Sequence, residues 1–334
     1  MYNNHNIDKE KNKVLKDVKA DGKERPWKEK KLKTLELAEI YKEIGLDNKA
    51  FRVRYCSCQL AFKVNNETGE KKLDSMISCQ VRLCPMCNWR RSLKIYGQTS
   101  KVMNKALEDK EYRFLFLTLT CENVVDKDLS KTIDKLFHAF KKLSERKVVK
   151  QSVKGWFRAL EVIHNLDRQS KSYDTYHPHF HVILMVNKSY FNDPNYYISQ
   201  KEWTSLWKSC LKVDYTPIVH ITAFKTGTKK ETAKSVAEAA KYTVKDEEYL
   251  IPQDKELSKE TVVTLDSALA NRRLIAFGGE LRDIHKKLNL DDAVDGDLVN
   301  TDNEDEKLRE DIKYHIEIYD WNIGYNQYYK RRNR

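Results

Sequence analysis

Three histidines alternate in His177-Pro178-His179-Phe180-His181, ahead of the apolar run Val182-Ile183-Leu184. Alternate side chains of an extended strand share a face. His179 and His181 therefore point one way while Phe180 and Val182 point into a core. Two imidazoles so placed can ligate one divalent metal and leave its other positions open to substrate oxygens. Three of the nine histidines of the chain fall within these five residues, which sets them apart from a chance grouping near a loop. His177 stands just outside the pair and is not counted as a ligand. A third ligand is expected from a neighbouring strand. Arg158-Ala159-Leu160-Glu161-Val162-Ile163 holds Glu161 among apolar residues, where a carboxylate needs a partner. If the two strands pair, Glu161 faces His179 and His181; a salt bridge to Arg158 or a nearby lysine is the competing reading.

A second candidate lies in Ala237-Glu238-Ala239-Ala240-Lys241-Tyr242-Thr243-Val244-Lys245, a helix-favouring run. Glu238 and Tyr242, four apart, share a helix face, and Lys245 follows three later. A tyrosine hydroxyl can attack a phosphodiester and hold the cut end covalently, keeping the bond energy for rejoining. With a free pKa of about 10 it needs a metal, a base or nearby positive charge to do so at neutral pH. Lys245 would stabilise the phenolate or the phosphate, and Glu238 would activate a water. The chain has 18 tyrosines, and an ordinary packed tyrosine is the competing reading.

The cysteines form a third group. Cys56 and Cys58 precede Cys79, Cys84 and Cys87 by about twenty residues. Cys84-x-x-Cys87 has the knuckle spacing of structural zinc sites, which take four thiolates tetrahedrally. Five candidates serve four places: Cys79, Cys84 and Cys87 with either Cys56 or Cys58. A redox pair is disfavoured by the lack of a thioredoxin-like β-α-β pattern around it. Just beyond, Trp89-Arg90-Arg91 offers a stacking ring and two phosphate-binding cations, against the plainer reading of a solvated basic turn.

The elements that must position these groups alternate along the chain. Tyr112–Thr120, Trp156–Ile163, His179–Val186 and Pro217–Thr222 are predicted strands. Lys131–Leu143, Trp203–Leu211 and Glu231–Val244 are predicted helices. The order is β-α-β-β-α-β-α, with the middle strands joined by the polar loop Asn165–Thr175 as a hairpin. An α+β fold follows, with a largely antiparallel central sheet flanked by helices. Residues 1–45 read as a charged, partly helical arm and 46–100 as a zinc- and DNA-binding segment. Residues 101–250 form the core, and 251–334 a helical C-terminal extension with a Gly278-Gly279 turn and an acidic, solvated linker at Asp291–Asp311.

A net charge of +12, with lysine and arginine interleaved with aromatic residues, suits a polyanion with stackable bases. No apolar run approaches the ~20 residues of a membrane span and no signal-peptide core opens the chain. A cytoplasmic protein is expected, whose thiols serve metal binding rather than disulfides.

Taken together, Phe116-Leu117-Thr118-Leu119-Thr120, His177-Pro178-His179-Phe180-His181, Glu238-x-x-x-Tyr242-x-x-Lys245 and Cys84-Pro85-Met86-Cys87-Asn88-Trp89-Arg90-Arg91 resemble the rolling-circle replication initiators of small Gram-positive plasmids, within the HUH endonuclease superfamily. The likeness covers about residues 50–290. It implies a ferredoxin-like core with His179 and His181 on a central strand, Mg²⁺ or Mn²⁺ there, Tyr242 as nucleophile, and a hydrolytic role for Glu238 at termination. It further implies double-strand origin and single-stranded DNA as partners, together with a host helicase and polymerase; self-association stays open. Glu161 as third ligand rests on strand geometry as much as on likeness. The rivals are a relaxase or transposase of the same superfamily, against which the Glu238/Tyr242 pairing leans, and a non-catalytic, zinc-containing DNA-binding regulator.

Overall fold

The computed structural model describes residues 13–19, 21–108, 111–224, 236, 243–292, 294–301 and 313–332. Its elements begin with α1 (Trp27–Glu43), α2 (Asp47–Tyr55), β1 (Gln59–Asn65), β2 (Lys71–Met76) and α3 (Pro85–Ala106). Next come β3 (Tyr112–Leu119), α4 (Asp126–Glu145), α5 (Lys147–Ser152), β4 (Val153–Asn165) and β5 (Thr175–Asn187). The remainder are α6 (Gln200–Leu211), β6 (Val219–Ala223), α7 (Lys255–Leu269), β7 (Ile275–Gly279), α8 (Glu280–Lys287), β8 (Tyr314–Asn322) and β9 (Gln327–Lys330). The chain divides into two compact units, Arg91–Gly296 and Met1–Arg90 with Asp297–Arg334. Among the described residues no helix is long and apolar enough to cross a membrane.

The Arg91–Gly296 unit is built on a five-stranded sheet in the order β6-β3-β5-β4-β7, antiparallel at every pairing. Helix α4 joins β3 to β4, and β5 lies between those two strands, a split β-α-β arrangement. The fold is therefore α+β with an antiparallel sheet and packed helices. One sheet face is covered by α4, whose buried Leu129, Ile133, Leu136, Phe140 and Leu143 repeat at three- and four-residue intervals, the stripe that one helix face requires. Phe140 meets Trp156 and Phe180 edge-on. Helix α6 is held by a Ser199–Glu202 capping box, and its Trp207 indole donates to the Thr120 carbonyl at 2.7 Å. The opposite core gathers Ile95, Val102 and Met103 with Phe114, Phe157, Ile183 and Met185. Register sets Phe157 opposite Ile183, Ala159 opposite His181 and Glu161 opposite His179, so the histidine pair continues this second face.

In the other unit the sheet order is β2-β1-β8-β9. Trp27 contacts Phe62 and Trp89 edge-on, and Phe62 meets Tyr319. Three expectations are corrected here. The segment before residue 45 is not merely an arm, since α1 buries Leu37, Ala38 and Tyr41. The C-terminal extension is not helical throughout: β8 and β9 form a hairpin, and β8 pairs with β1 over Gln59–Asn65. Gly278-Gly279 is no free turn either. It ends β7, where Gly278 faces Trp156 so closely that a Cβ would lie 2.2 Å from the indole. The helix expected over Glu231–Val244, with Glu238 and Tyr242, lies outside the described residues except at 236, 243 and 244.

Candidate active site and metal centres

Strand parity brings the first site together. Glu161 Oε2 lies 2.6 Å from His181 Nε2 and 3.2 Å from His179 Nε2, and the two Nε2 atoms are 3.2 Å apart. All three side chains are buried. His179 Nδ1 donates to the His177 carbonyl at 3.1 Å, so a neutral His179 turns the bare lone pair of Nε2 toward the carboxylate. Electron-rich atoms at that separation need positive charge between them, and a divalent cation would supply it to all three at once. The residues present fit such an ion. Burial pushes the Glu161 carboxyl upward; when His179 and His181 carry protons in place of an ion, their hydrogen bonds and charge outweigh burial and hold it well below the usual carboxylate range. Phe116 stacks on the His181 ring at 5.5 Å, fixing its plane.

Arg158 is no partner of Glu161. It sits on the other sheet face, its guanidinium over Phe137 at 4.4 Å and Phe180 at 4.9 Å, and it donates to the Arg273 carbonyl. His177 also stands apart, donating from Nδ1 to Asn123 Oδ1 at 2.9 Å. Burial and the neighbouring His179 bring its pKa down to about 4, against the pull of Glu161.

The free edge of β4 carries the segment that follows Tyr242. β7 pairs with β4 only as far as Ala159; beyond it, Val162 N donates to the Thr243 carbonyl at 2.7 Å. His164 then fastens the same segment, donating from Nδ1 to the Glu248 carbonyl at 3.0 Å and from Nε2 to Asp174 at 2.9 Å. Tyr176 stacks on its ring at 4.5 Å. The chain neighbour of Tyr242 is thus bonded one residue from Glu161. Lys245 is exposed. Glu248 was not singled out from the sequence: a glutamate in Asp246-Glu247-Glu248 looks solvated, yet it is half-buried.

The second centre lies in the other unit. Cys56, Cys79, Cys84 and Cys87 are buried with their sulfurs within 4.8 Å of one another. The Cys56–Cys87, Cys56–Cys84 and Cys79–Cys87 separations are 3.5, 3.6 and 3.7 Å. A tetrahedral zinc with Zn–S of about 2.3 Å requires sulfur–sulfur edges of about 3.8 Å, so the set fits the ion. Cys58 stands outside it. Burial raises the Cys84 thiol, but hydrogen bonds from the other three hold it well below its ordinary value. Beside them Lys31, fully buried, donates from Nζ to the Arg54 and Cys56 carbonyls at 2.8 and 2.6 Å.

Trp89, Arg90 and Arg91 do not form an exposed face. All three are buried, Arg90 at 0% exposure. Arg90 donates to the Leu298 and Val299 carbonyls and Arg91 to that of Val294. Their polar atoms serve the protein's own backbone, which corrects the expectation of a DNA-facing patch.

Comparison with known proteins identifies the family. A family model described as a replication protein matches residues 70–329. "Protein rep" of Bacillus amyloliquefaciens is 41% identical over 339 residues, covering 94% of this chain and 96% of that protein. Those of Streptococcus pneumoniae and Lentilactobacillus hilgardii are 38% and 37% identical, covering 95% and 93% of this chain and 95% and 97% of theirs. No solved structure matches. With matches along nearly its whole length, the chain belongs to the replication protein family.

Proposed function

We propose that this protein initiates rolling-circle replication of a plasmid by nicking one strand of its origin and holding the 5′ end on Tyr242. The observation that carries the reading is the Glu161–His179–His181 triad beside the bonded Thr243. Mg²⁺ or Mn²⁺ held there would polarise the scissile phosphate and stabilise charge on the leaving oxygen. Glu161 accepts, and His179 and His181 present fixed lone pairs, so the triad binds without rearranging. The Tyr242 oxygen forms the bond to phosphorus as the bond to the 3′ oxygen breaks, leaving a 3′-OH that primes synthesis. Exposed Lys245 balances charge on the phosphate. After one round, water activated by Glu238 cuts the regenerated strand, and the released end rejoins the tyrosine-held end. Zn²⁺ on Cys56, Cys79, Cys84 and Cys87 keeps its unit folded. Double-strand origin DNA, the displaced single strand and the host helicase and polymerase are the partners this function needs, in the cytoplasm.

The test is incubation of the protein with supercoiled origin DNA and Mn²⁺, followed by denaturation. DNA that stays attached to protein, and is lost with Tyr242→Phe, supports the reading. A shift that denaturation fully reverses would instead favour a non-catalytic regulator.

A further inference from the structure

Under the end of α4, on the sheet face away from the metal triad, lies a cavity of about 270 Å³. Leu143, Trp156, Leu184 and Trp203 line it, with Lys150 and Lys154 beside them. Strand parity sets its place. Trp156 pairs with Leu184 and Ala159 with His181, an odd step along each strand, so the cavity and the histidines lie on opposite faces. Phe140 of α4 meets the Trp156 indole edge-on at 4.9 Å. Gly278 lies against the same ring, where a Cβ would come within 2.2 Å, so the indole is held fixed. The volume falls just short of the about 300–1,000 Å³ of pockets for drug-sized ligands and suits a single flat ring.

The chain around this cavity is strongly basic. Residues 141–154 carry Lys141, Lys142, Arg146, Lys147, Lys150 and Lys154 against one acid, Glu145, which also borders the cavity. Arg146 donates to Ser209 Oγ at 2.9 Å. None of the five lysines meets an ion-pair partner among the described residues, whereas nearby Lys188 pairs with Glu111 at 3.2 Å. Like charges so close along the chain repel one another, since salt screens them only beyond about 8 Å, and a bound polyanion removes that repulsion. Exposed rings continue the patch. The Ser152 hydroxyl at the end of α5 donates to the Tyr196 carbonyl at 2.6 Å, and the Trp203 indole donates to the Tyr190 hydroxyl at 3.3 Å. These bonds fasten the 190–197 segment beside the cavity, with Phe191, Tyr196 and Tyr197 exposed on it, Tyr197 at 53%.

We propose that this face is a second binding site for single-stranded DNA, separate from the site of cutting. The lysines of 141–154 take its phosphates, and the exposed rings and the Trp156-lined cavity take its bases. Cations that track the backbone and rings that stack on bases are how proteins hold single strands with little regard to sequence. A duplex fits less well, because its bases are stacked inside and none is free to enter a ring-lined cavity. The inference rests on the nicking reading above for the source of the strand, since replication from a nick displaces one. Held on the far face of the sheet, the bound stretch is remote from the scissile phosphate.

The experiment measures binding of a labelled oligothymidylate, which carries no origin sequence, to full-length protein in EDTA. Fluorescence anisotropy is followed over a range of salt concentrations. Each lysine–phosphate contact contributes about 0.7 to the slope of log affinity against log salt for a single strand. Lys147→Gln combined with Lys150→Gln and Lys154→Gln should lower that slope by about 2, and the affinity at about 0.1 M salt by about 100-fold. Tyr197→Ala should weaken binding about 10-fold, as expected for one stacked base, with the slope unchanged. A charge control, Lys255→Gln with Lys286→Gln and Lys287→Gln, all exposed, should stay within a few-fold of wild type. Melting temperatures report that each variant is folded. An unchanged slope in the first variant would overturn the proposal. Equal losses in the control would overturn it too, by making the effect one of net charge. So would a wild type that ignores oligothymidylate and binds polyglutamate, which would make an acidic protein the occupant. Because EDTA prevents cutting and the oligonucleotide has no origin, failure here leaves the nicking reading standing. Failure of covalent attachment to origin DNA would equally leave this binding result in place.

Discussion

Replacing Lys31 by methionine should move stability in opposite directions according to whether the four cysteines hold zinc. Lys31 is fully buried and its ammonium donates to the Arg54 and Cys56 carbonyls. Burial lowers its pKa, and the surrounding cysteines, counted as thiolates, are what raise it back. Zinc with four thiolates carries two net negative charges in a buried site, and one fixed ammonium offsets half of them. Partners of this kind around a metal site are each worth about 10–100-fold in affinity, or about 1.4–2.8 kcal/mol. With zinc absent and the thiols protonated, the same ammonium is a buried charge without a counter-ion, a burden of several kcal/mol only partly relieved by its two hydrogen bonds. The Cys56 carbonyl keeps a second donor in Ser57 Oγ at 2.7 Å, so methionine orphans little. Zinc affinity of Lys31→Met should therefore fall about 10–100-fold in competition with a chromogenic chelator. The metal-free variant should melt no lower than metal-free wild type. An equal fall in melting temperature with and without zinc would show that Lys31 is only a packing residue. Unchanged zinc affinity would remove its counter-charge role.

Further outcomes follow from the same geometry. His179→Ala with His181→Ala should abolish nicking of origin DNA while origin binding, read by band shift, stays within a few-fold. Tyr242→Phe should form no denaturation-resistant complex; Glu238→Ala should still attach but release products longer than one plasmid unit, read on denaturing gels. Glu317, buried but bonded to Lys330 and Tyr319, has its pKa lowered to about 2 from 4.5. Its stabilisation is full above about pH 4.5 and is lost as pH falls through 2. Glu317→Gln should flatten that part of an acid unfolding curve followed by tryptophan fluorescence.

Much of the first site was legible because strand parity is a local rule. The alternation His177-Pro178-His179-Phe180-His181 gives the shared face, and an acid between Leu160 and Val162 comes to lie beside the pair once the hairpin closes. Parity also decides against Arg158, three residues from Glu161 and so on the opposite face. The choice between Cys56 and Cys58 was not legible, because it turns on Ser57, whose φ of 51° sends the chain on with Cys58 outside the cluster. The pairing of β8 with β1 joins segments some 250 residues apart, and neither carries a mark of the other. The burial of Arg90 has the same cause. An arginine beside Trp89 reads as a nucleic-acid contact until the distant Leu298 and Val299 carbonyls are seen to receive it. Asp291, expected in a solvated linker, instead binds Lys94 at 2.5 Å. Sequence periodicity reports which face is inward and leaves open what lies there.

The two metal centres differ in donor chemistry, and that difference should make them separable. Glu161, His179 and His181 are three ligands, fewer than a divalent ion such as Mg²⁺ takes, which suits an exchangeable ion held by few protein ligands. The four buried cysteines would supply all four ligands of a tetrahedral ion, and apparent binding energies for structural zinc of this kind are about 10–16 kcal/mol. Brief exposure to EDTA should therefore stop covalent attachment at once while zinc content and melting temperature stay unchanged, and added Mn²⁺ should restore attachment in full. Modifying the thiols should then release close to one zinc per chain and lower the melting temperature. The order matters, because under the proposed function loss of zinc should abolish origin binding, whereas protein stripped only at the triad should still bind its origin. If nicking and zinc are lost in the same step, the centres are not independent and the triad does not hold the reacting metal. If nicking continues through EDTA treatment that demonstrably clears added Mn²⁺ from solution, no exchangeable ion takes part and the role given to His179 and His181 is wrong.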